Sequence, residues 1–519
     1  MAAIITDQIR ILNAKNFVAG INNSANSYYS FIGLPNSTEL QSDWDTNPSS
    51  PRDNFDEENN YWDTMIALKR INATDVRLVI PKRFWSSGNK YDMYRHDYSA
   101  AANKQSKVSN QTSLYSSYYY VINSDYRVYI CLQNGTTPEA PLGNPSLDEP
   151  TFMDLEPRSA GNSGDGYIWK YLYTIKPSDV AKFESTDFIP VPSDWETSLD
   201  NAAVRNNAID GSIKIVTIVN RGSGIGPVGS SQIYYNVPIN GNGSGATCTI
   251  TTNNNAQIDS ITVSNQGSGY TYGTVDLSAG GVPTPTSAPI FNVIIAPEGG
   301  HGYDIYRELG AYNVLLYSRI ENDNQNPDFI TGNQFSRVGI IQNPKSSGGS
   351  LLKLDKASAI YALRLTGVGY SSAVFSSDSY ITQTIATGTT AVGRVVSYDQ
   401  NTGILKYWQD RSLVGFNTDG TAKTSPTYGF NLNEFTAYPS TGGSLTINGG
   451  SLPLTINTSF TGVSTVINNR TYYLGQSFTK GISSPEIQKY SGNIIYVDNR
   501  PSITRSSNQK EDIKVILQF

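Results

Sequence analysis

The chain is poor in the residues that carry most chemistry. Its 519 residues include two cysteines, two histidines and four methionines. Cys131 and Cys248 lie 117 positions apart and outside any CxxC spacing. That arrangement allows one disulfide at most and argues against a redox or thiolate-metal centre. Both sit in strand-forming text, where cysteine reads as a small buried apolar residue. His96 and His301 make no HExxH element, so the histidines do not suggest zinc. Gly-Lys never occurs as a dipeptide, which removes a Walker loop, and no GxSxG elbow is present.

Charge is also sparse. Asp, Glu, Lys and Arg make up 16% of the chain and the net charge is −6, with no basic stripe of the kind that nucleic acid requires. No nucleic-acid partner is expected. The densest run, Arg52 to Glu58, is mixed and acidic and reads as a solvated helix start. No segment approaches twenty apolar residues, and Met1-Ala-Ala-Ile-Ile-Thr-Asp-Gln has neither a basic n-region nor an apolar core of signal length. The expectation is a protein folded in a cytoplasm, without membrane insertion.

What is abundant is turn and strand text. There are 45 Gly, 25 Pro and 34 Tyr, a composition that favours short strands and amphipathic surface over helical packing. Residues 1–50 read as strand, loop and turn. A short helix is expected near 59–70, where Trp62, Met65, Ile66 and Lys69 recur at i, i+3, i+4 and i+7. Val76–Ile80 alternates and stops at Pro81. Tyr118–Ile122 and Tyr126–Leu132 form a hairpin across Asn123-Ser124-Asp125. Tyr167–Ile175 is a strand introduced by Gly164-Asp165-Gly166. The last residues alternate, with Ile513, Val515, Leu517 and Phe519 on one apolar face, so the chain's end is expected to be sewn into a sheet.

The texture changes near residue 210. Ile213–Asn220-Arg-Gly222-Ser-Gly224 recurs as Ile258–Asn265-Gln-Gly267-Ser-Gly269 at an offset of 45 residues, which also aligns Thr247–Ile250 with Asn292–Ile295. Two copies of a strand–glycine-turn–strand unit are predicted within one β-module. A second Gly/Ser/Thr-rich region contains the hairpin Ala391–Tyr398/Ile404–Trp408. The chain therefore divides into 1–205 (core, first part), 206–299 (β-module with the internal repeat), 300–345 (core, second part), 346–480 (second β-module) and 481–519 (core, closing strand). The fold class is β-rich α+β, a layered β-α-β core with two inserted all-β modules.

No catalytic constellation emerges. Gly224-Ile-Gly226-Pro-Val-Gly229 matches GxGxxG, but strand text and no helix follows it, so it reads as a turn. Asp165, Asp276, Asp304 and Glu308 are candidate carboxylates for glycoside hydrolysis, yet no spacing singles out a pair, and they read as hydrogen-bonded loop residues. No cofactor, metal or enzymatic activity is expected.

Four regions, in matching order, resemble one family. Pro81-Lys-Arg83-Phe-Trp85 is similar to its Pro-basic-basic-x-Trp element. Gly164-Asp165-Gly166-Tyr-Ile-Trp169-Lys-Tyr-Leu-Tyr-Thr-Ile175 resembles its GDGYxWxYLxxI stretch, and Phe188-Ile-Pro-Val-Pro192 follows at a similar interval. Phe335-Ser-Arg-Val-Gly-Ile-Ile-Gln-Asn343-Pro344 looks like its aromatic-basic strand ending in Asn-Pro. Ile495-Tyr-Val-Asp-Asn499-Arg500-Pro501, with the closing strand, resembles its C-terminus. The family is the baseplate wedge protein that is the product of gene eight in phage T4 and its relatives. The two β-modules have no counterpart in it and make this chain much longer. The resemblance implies a structural subunit of a contractile-tail baseplate, a homodimer contacting other wedge proteins, located in the virion and assembled in the host cytoplasm. The named motif residues would then be fold elements. The alternative is a tail-associated receptor- or glycan-binding protein, with the inserted modules contacting host-surface glycan.

Overall fold

The computed structural model describes residues 4–38, 40–98, 107–321, 334–386, 389–409, 438–440, 454–506 and 509–519. The fold is β-rich α+β, with many short strands and few helices. The chain forms two compact units. The first comprises Met1–Val18, Arg77–Leu315 and Ile516–Phe519, and the second Ala19–Val76 and Leu316–Val515. The expected stretch 206–299 lies in the first unit and 346–480 in the second, although 410–437 and 441–453 are outside the described residues.

In the first unit the expected hairpin is present. Tyr120–Ile122 pairs antiparallel with Arg127–Asn134, which pairs in turn with Tyr167–Thr174. The side chain of Asn123 shapes the turn by accepting from the N–H groups of Asp125 (3.0 Å) and Arg127 (2.8 Å). The tyrosines are used differently from the expectation. Tyr119, Tyr120, Tyr129, Tyr167 and Tyr173 are fully buried, and their hydroxyls donate to the carbonyls of Glu308, Pro81, Phe152, Asn144 and Pro190 at 2.6–3.3 Å. A buried phenol must find an acceptor, so each ring fills the core and pins a loop carbonyl at once. Burial holds these phenols un-ionised, well above their ordinary pKa.

The 45-residue repeat is a structural repeat with exchanged partners. Ile213–Asn220 pairs with Ile290–Ile295, and Ser244–Thr252 pairs with Ile258–Ser268, so each copy's first strand lies beside the other copy's last. Asn220 and Asn265 make the same turn, accepting from the N–H of Gly222 (2.8 Å) and Gly267 (3.1 Å). Gly222, Gly224, Gly267 and Gly269 all have positive φ. A methyl at Gly222 would lie 2.7 Å from Pro289 N, and one at Gly267 would lie 2.6 Å from Ser244 O, which is the equivalent position in the repeat. Ile213, Val216, Cys248, Ile250, Ile258, Val293 and Ile295 close one apolar cluster between the copies. Both cysteines are buried and free.

The second unit holds a five-stranded sheet in which Lys356–Ser358, Met65–Ile71, Tyr28–Gly33, Gln334–Gln342 and Asn493–Thr504 are successive neighbours. It also holds the larger sheet of the second module. There the expected hairpin pairs Thr389–Asp399 with Ile404–Trp408, around a core that includes Leu363, Val395, Leu405 and Tyr407.

Three expectations need correction. Asp7–Asn22 is a helix where strand and loop were expected. Apolar residues lie on both its buried side (Ile11, Ala14) and its exposed side (Ile9, Leu12), so the sequence shows little helical contrast. The second helix occupies Phe55–Thr64, and Met65–Ile71 is strand. Asn54 caps the helix on Glu57 N at 2.9 Å, with Asp56, Glu57 and Glu58 in its first turn as expected. The i, i+3, i+4 pattern crossed this boundary because Met65-Ile-Ala-Leu68 is a continuous buried run, the mark of a strand covered on both faces. The closing segment is the strand Lys510–Gln518 hydrogen-bonded beside Asn313–Glu321, but only Val515 is buried. Ile513, Leu517 and Phe519 are half-buried because this is an outer strand. Phe519 ends against Phe17, ring centroids 5.4 Å apart, and donates from its N–H to Tyr312 O at 3.1 Å.

Candidate functional site

The motif residues are brought together as internal fastenings. In the first unit, Val76–Pro81 pairs with Phe188–Pro190, joining two of the segments that carry the resemblance. Pro81 has no N–H to continue the ladder, and the chain turns inward. Arg83 is buried. It donates to Tyr115 O at 2.8 Å and to Ser117 O, and its guanidinium lies 4.4 Å from the Tyr120 ring centre and 5.2 Å from that of Tyr118. The Tyr120 hydroxyl returns a bond to Pro81 O at 2.7 Å. Trp85 donates from its backbone to Ile122 O (2.9 Å) and from Nε1 to Ser146 Oγ (3.0 Å). The spacing of Pro81, Arg83 and Trp85 thus clamps one strand end to its neighbour.

Gly164-Asp165-Gly166 is a turn locked by its carboxylate. Asp165 accepts from Tyr167 N (3.0 Å) and Leu147 N (2.9 Å), and its carbonyl accepts from Asn144 Nδ2 (2.9 Å). Gly166 has φ +83°, and a Cβ there would lie 2.7 Å from Gly135 Cα. Trp169 is fully buried, stacked on Tyr167 with centroids 5.3 Å apart.

In the second unit the segments Phe335–Pro344 and Ile495–Pro501 are adjacent strands, with Arg337 opposite Asn499. Arg337 is completely buried between the rings of Trp44 (5.0 Å) and Tyr61 (5.3 Å). It donates to Asn499 Oδ1 (3.2 Å), Thr64 Oγ1 (2.5 Å) and Asn36 Oδ1. Burial pulls its guanidinium down to about 10, which leaves it charged at neutral pH. Asn499 donates in turn to Ser49 O at 2.9 Å, and Trp44 Nε1 to Arg500 O at 2.9 Å. The Arg500 side chain is exposed and pairs with Asp498. Asn343 adopts φ +54°, accepts from Ser27 N (2.8 Å) and donates to Asn26 Oδ1 (3.2 Å), while Pro344 O accepts from Leu352 N at 2.9 Å. Arg337 was not singled out from the sequence. Its signal is a lone charge inside the apolar run of Phe335, Val338, Ile340 and Ile341.

The candidate carboxylates are occupied locally. Asp304 caps Ile305–Leu309, accepting from Tyr306 N and Arg307 N. Asp276 accepts from Ala279 N, Ser278 Oγ and Asn240 Nδ2 at 2.7–3.0 Å. Glu308 is buried, 2.6 Å from His301 Nδ1, and accepts from Gly302 N at 2.7 Å. His96 Nδ1 accepts from Ile295 N at 3.3 Å. Gly224, Gly226 and Gly229 have φ +70°, +93° and +91° in a turn before the strand Ile233–Gly241. Among the described residues, no group of three or more His, Cys, Asp or Glu is placed to hold a metal ion, and no helix is long and apolar enough to cross a membrane.

No family model matches the chain, and no curated protein matches it significantly.

Proposed function

We propose that this chain is a non-enzymatic structural subunit of a contractile-tail phage baseplate wedge. It assembles in the host cytoplasm, enters the virion as a homodimer among other wedge proteins, and relays the tail's conformational change through subunit contacts. The observation that carries this reading is the pairing of the motif segments: Phe335–Pro344 lies beside Ile495–Pro501, with Arg337 bonded to Asn499. Residues recurring across a structural family for the sake of its framework would be tied into the fold by their partners, as buried Arg83 and Arg337 and half-buried Asp165 are, whereas catalytic groups need a face open to substrate. Co-expression with the wedge proteins of the same phage tests it. The expected result is a stable co-purifying complex containing a dimer of this chain, and a stable monomer that never co-assembles contradicts it.

A second reading, a receptor- or glycan-binding tail protein, is favoured by Tyr235 and Tyr272, which are 67% and 62% exposed on the 206–299 module. Deleting 206–299 separates the two: lost host adsorption with intact tail assembly supports the second.

A further inference from the structure

We infer that the first unit carries a saccharide-binding cleft beside the Phe188–Pro192 segment, lined by Tyr171, Lys176, Asp194 and Asp200 around a floor of Pro190 and Pro192. The cavity measures about 400 Å³, near the lower end of ligand pockets and sufficient for roughly one or two hexose rings. Arg77 and Asp179, both largely buried, are paired at 3.1 Å in its wall. Lys176 reaches Asp194 at 3.8 Å and Asp200 at 3.5 Å. The Tyr171 hydroxyl shares a hydrogen bond with Thr174 Oγ1 at 2.8 Å.

The lining selects the ligand class by elimination. A free anion would face three carboxylates against two cations. A cation would meet two like charges, Arg77 and Lys176, in the same cleft, with Asp179 already held by Arg77. An apolar ligand would strip water from charged groups and return nothing to them. A neutral polyol meets no such opposition. Its hydroxyls both donate and accept, so they can bridge carboxylates on one side and Lys176 on the other, while ring C–H faces lie on the proline floor and the Tyr171 ring. The long Lys176 contacts are exposed and hold little energy, so exchanging them for hydroxyl contacts costs little. The cleft is independent of the wedge reading, since a wedge subunit with or without it would assemble alike.

Saturation-transfer difference NMR on the full chain tests the site, with glucose, galactose, N-acetylglucosamine and their disaccharides as probes at millimolar concentration. Transfer to ring C–H protons of at least one probe is expected, reduced several-fold by Asp200→Ala and by Tyr171→Ala. Asp200 and Lys176 are exposed, so Asp200→Ala and Lys176→Ala keep the test valid if Tyr171→Ala fails to fold. Absence of transfer from every probe overturns the site, as does transfer that these substitutions leave unchanged.

Discussion

Arg337 and Asn499 stand 162 residues apart in sequence and face each other across two neighbouring strands, the arginine Nε donating to the asparagine Oδ1 at 3.2 Å. The pair closes a cage in which a charged guanidinium has oxygen acceptors around its edge and aromatic rings over its faces. Three strands meet there, because Arg337 also stands opposite Gly33, where a Cβ would lie only 3.2 Å from Arg337 Cβ.

Truncating Arg337 to alanine removes donors from buried Thr64 and from half-buried Asn36 and Asn499, and leaves a cavity. A loss of about 3–5 kcal/mol in urea unfolding is expected. Asn499→Ala should cost about 1–3 kcal/mol, since Ser49 O also loses its donor. A double-mutant cycle should show coupling of about 0.5–3 kcal/mol, and strict additivity would deny that the two residues act together.

The glycines of the Gly164-Asp-Gly166 turn should respond unequally. Gly164→Ala meets nothing within 4 Å but keeps φ +73°, so only backbone strain of about 1–3 kcal/mol is expected. Gly166→Ala adds a backbone collision with Gly135, and soluble yield should fall steeply. Equal behaviour of the two variants would show that the turn is not packed as described.

Lys406 gives a pH signature. Its amine is buried, donates to Leu474 O at 3.4 Å, and is pushed by burial down to about 8. The folded pKa lies below the unfolded value near 10.5. Burying the charged form therefore costs most below pH 8, and stability recovers as pH rises from about 8 to 10.5. Lys406→Met should be the more stable protein at pH 7, by about 2–3 kcal/mol, with the advantage shrinking across that window. Denaturant midpoints at pH 7 and pH 10 decide it, and a pH-independent difference counts against the buried charge.

The exchanged strand pairing of the repeat predicts how its halves behave. A fragment spanning 206–299 encloses its own apolar cluster and should unfold cooperatively. A single copy, 206–254, leaves Ile213–Asn220 and Ser244–Thr252 without their partners and should remain unfolded by circular dichroism. A folded single copy would contradict the interlocked arrangement.

At the end of the chain, Val515→Ala should cost about 1.5–3 kcal/mol, whereas alanine at half-buried Leu517 should cost less. The reverse order in thermal unfolding would mean that this face is buried most deeply at the end of the strand rather than at Val515.

Much of this framework was legible where local pattern and tertiary role agree. Both hairpins, the Tyr167 strand, the repeat and the acidic helix start at Asn54 follow from alternation, turn residues and capping. What escaped depended on distant partners. The helix Asp7–Asn22 buries Ile11 and Ala14 while exposing Ile9 and Leu12, so periodicity could not announce it. Met65 changes from a helical to a strand residue because it pairs with Gly33 across the sheet and is fully buried. Arg337 belongs to the aromatic-basic strand of the resemblance, but its role was not legible there because its acceptors come from positions 36, 64 and 499. The tyrosines read as strand and amphipathic-surface residues; Tyr120, Tyr129, Tyr167 and Tyr173 are in strands, and their buried hydroxyls take backbone carbonyls of other segments, invisible to composition, as partners.

The most direct test is a cryo-electron microscopy reconstruction of the intact virion with this chain located by fitting or by an antibody label. The proposal predicts density in the baseplate wedge, repeated in pairs around the tail axis, with the framework of Arg83, Asp165 and Arg337 inside each copy. Density confined to fibre tips, or a particle that lacks the chain altogether, would contradict it.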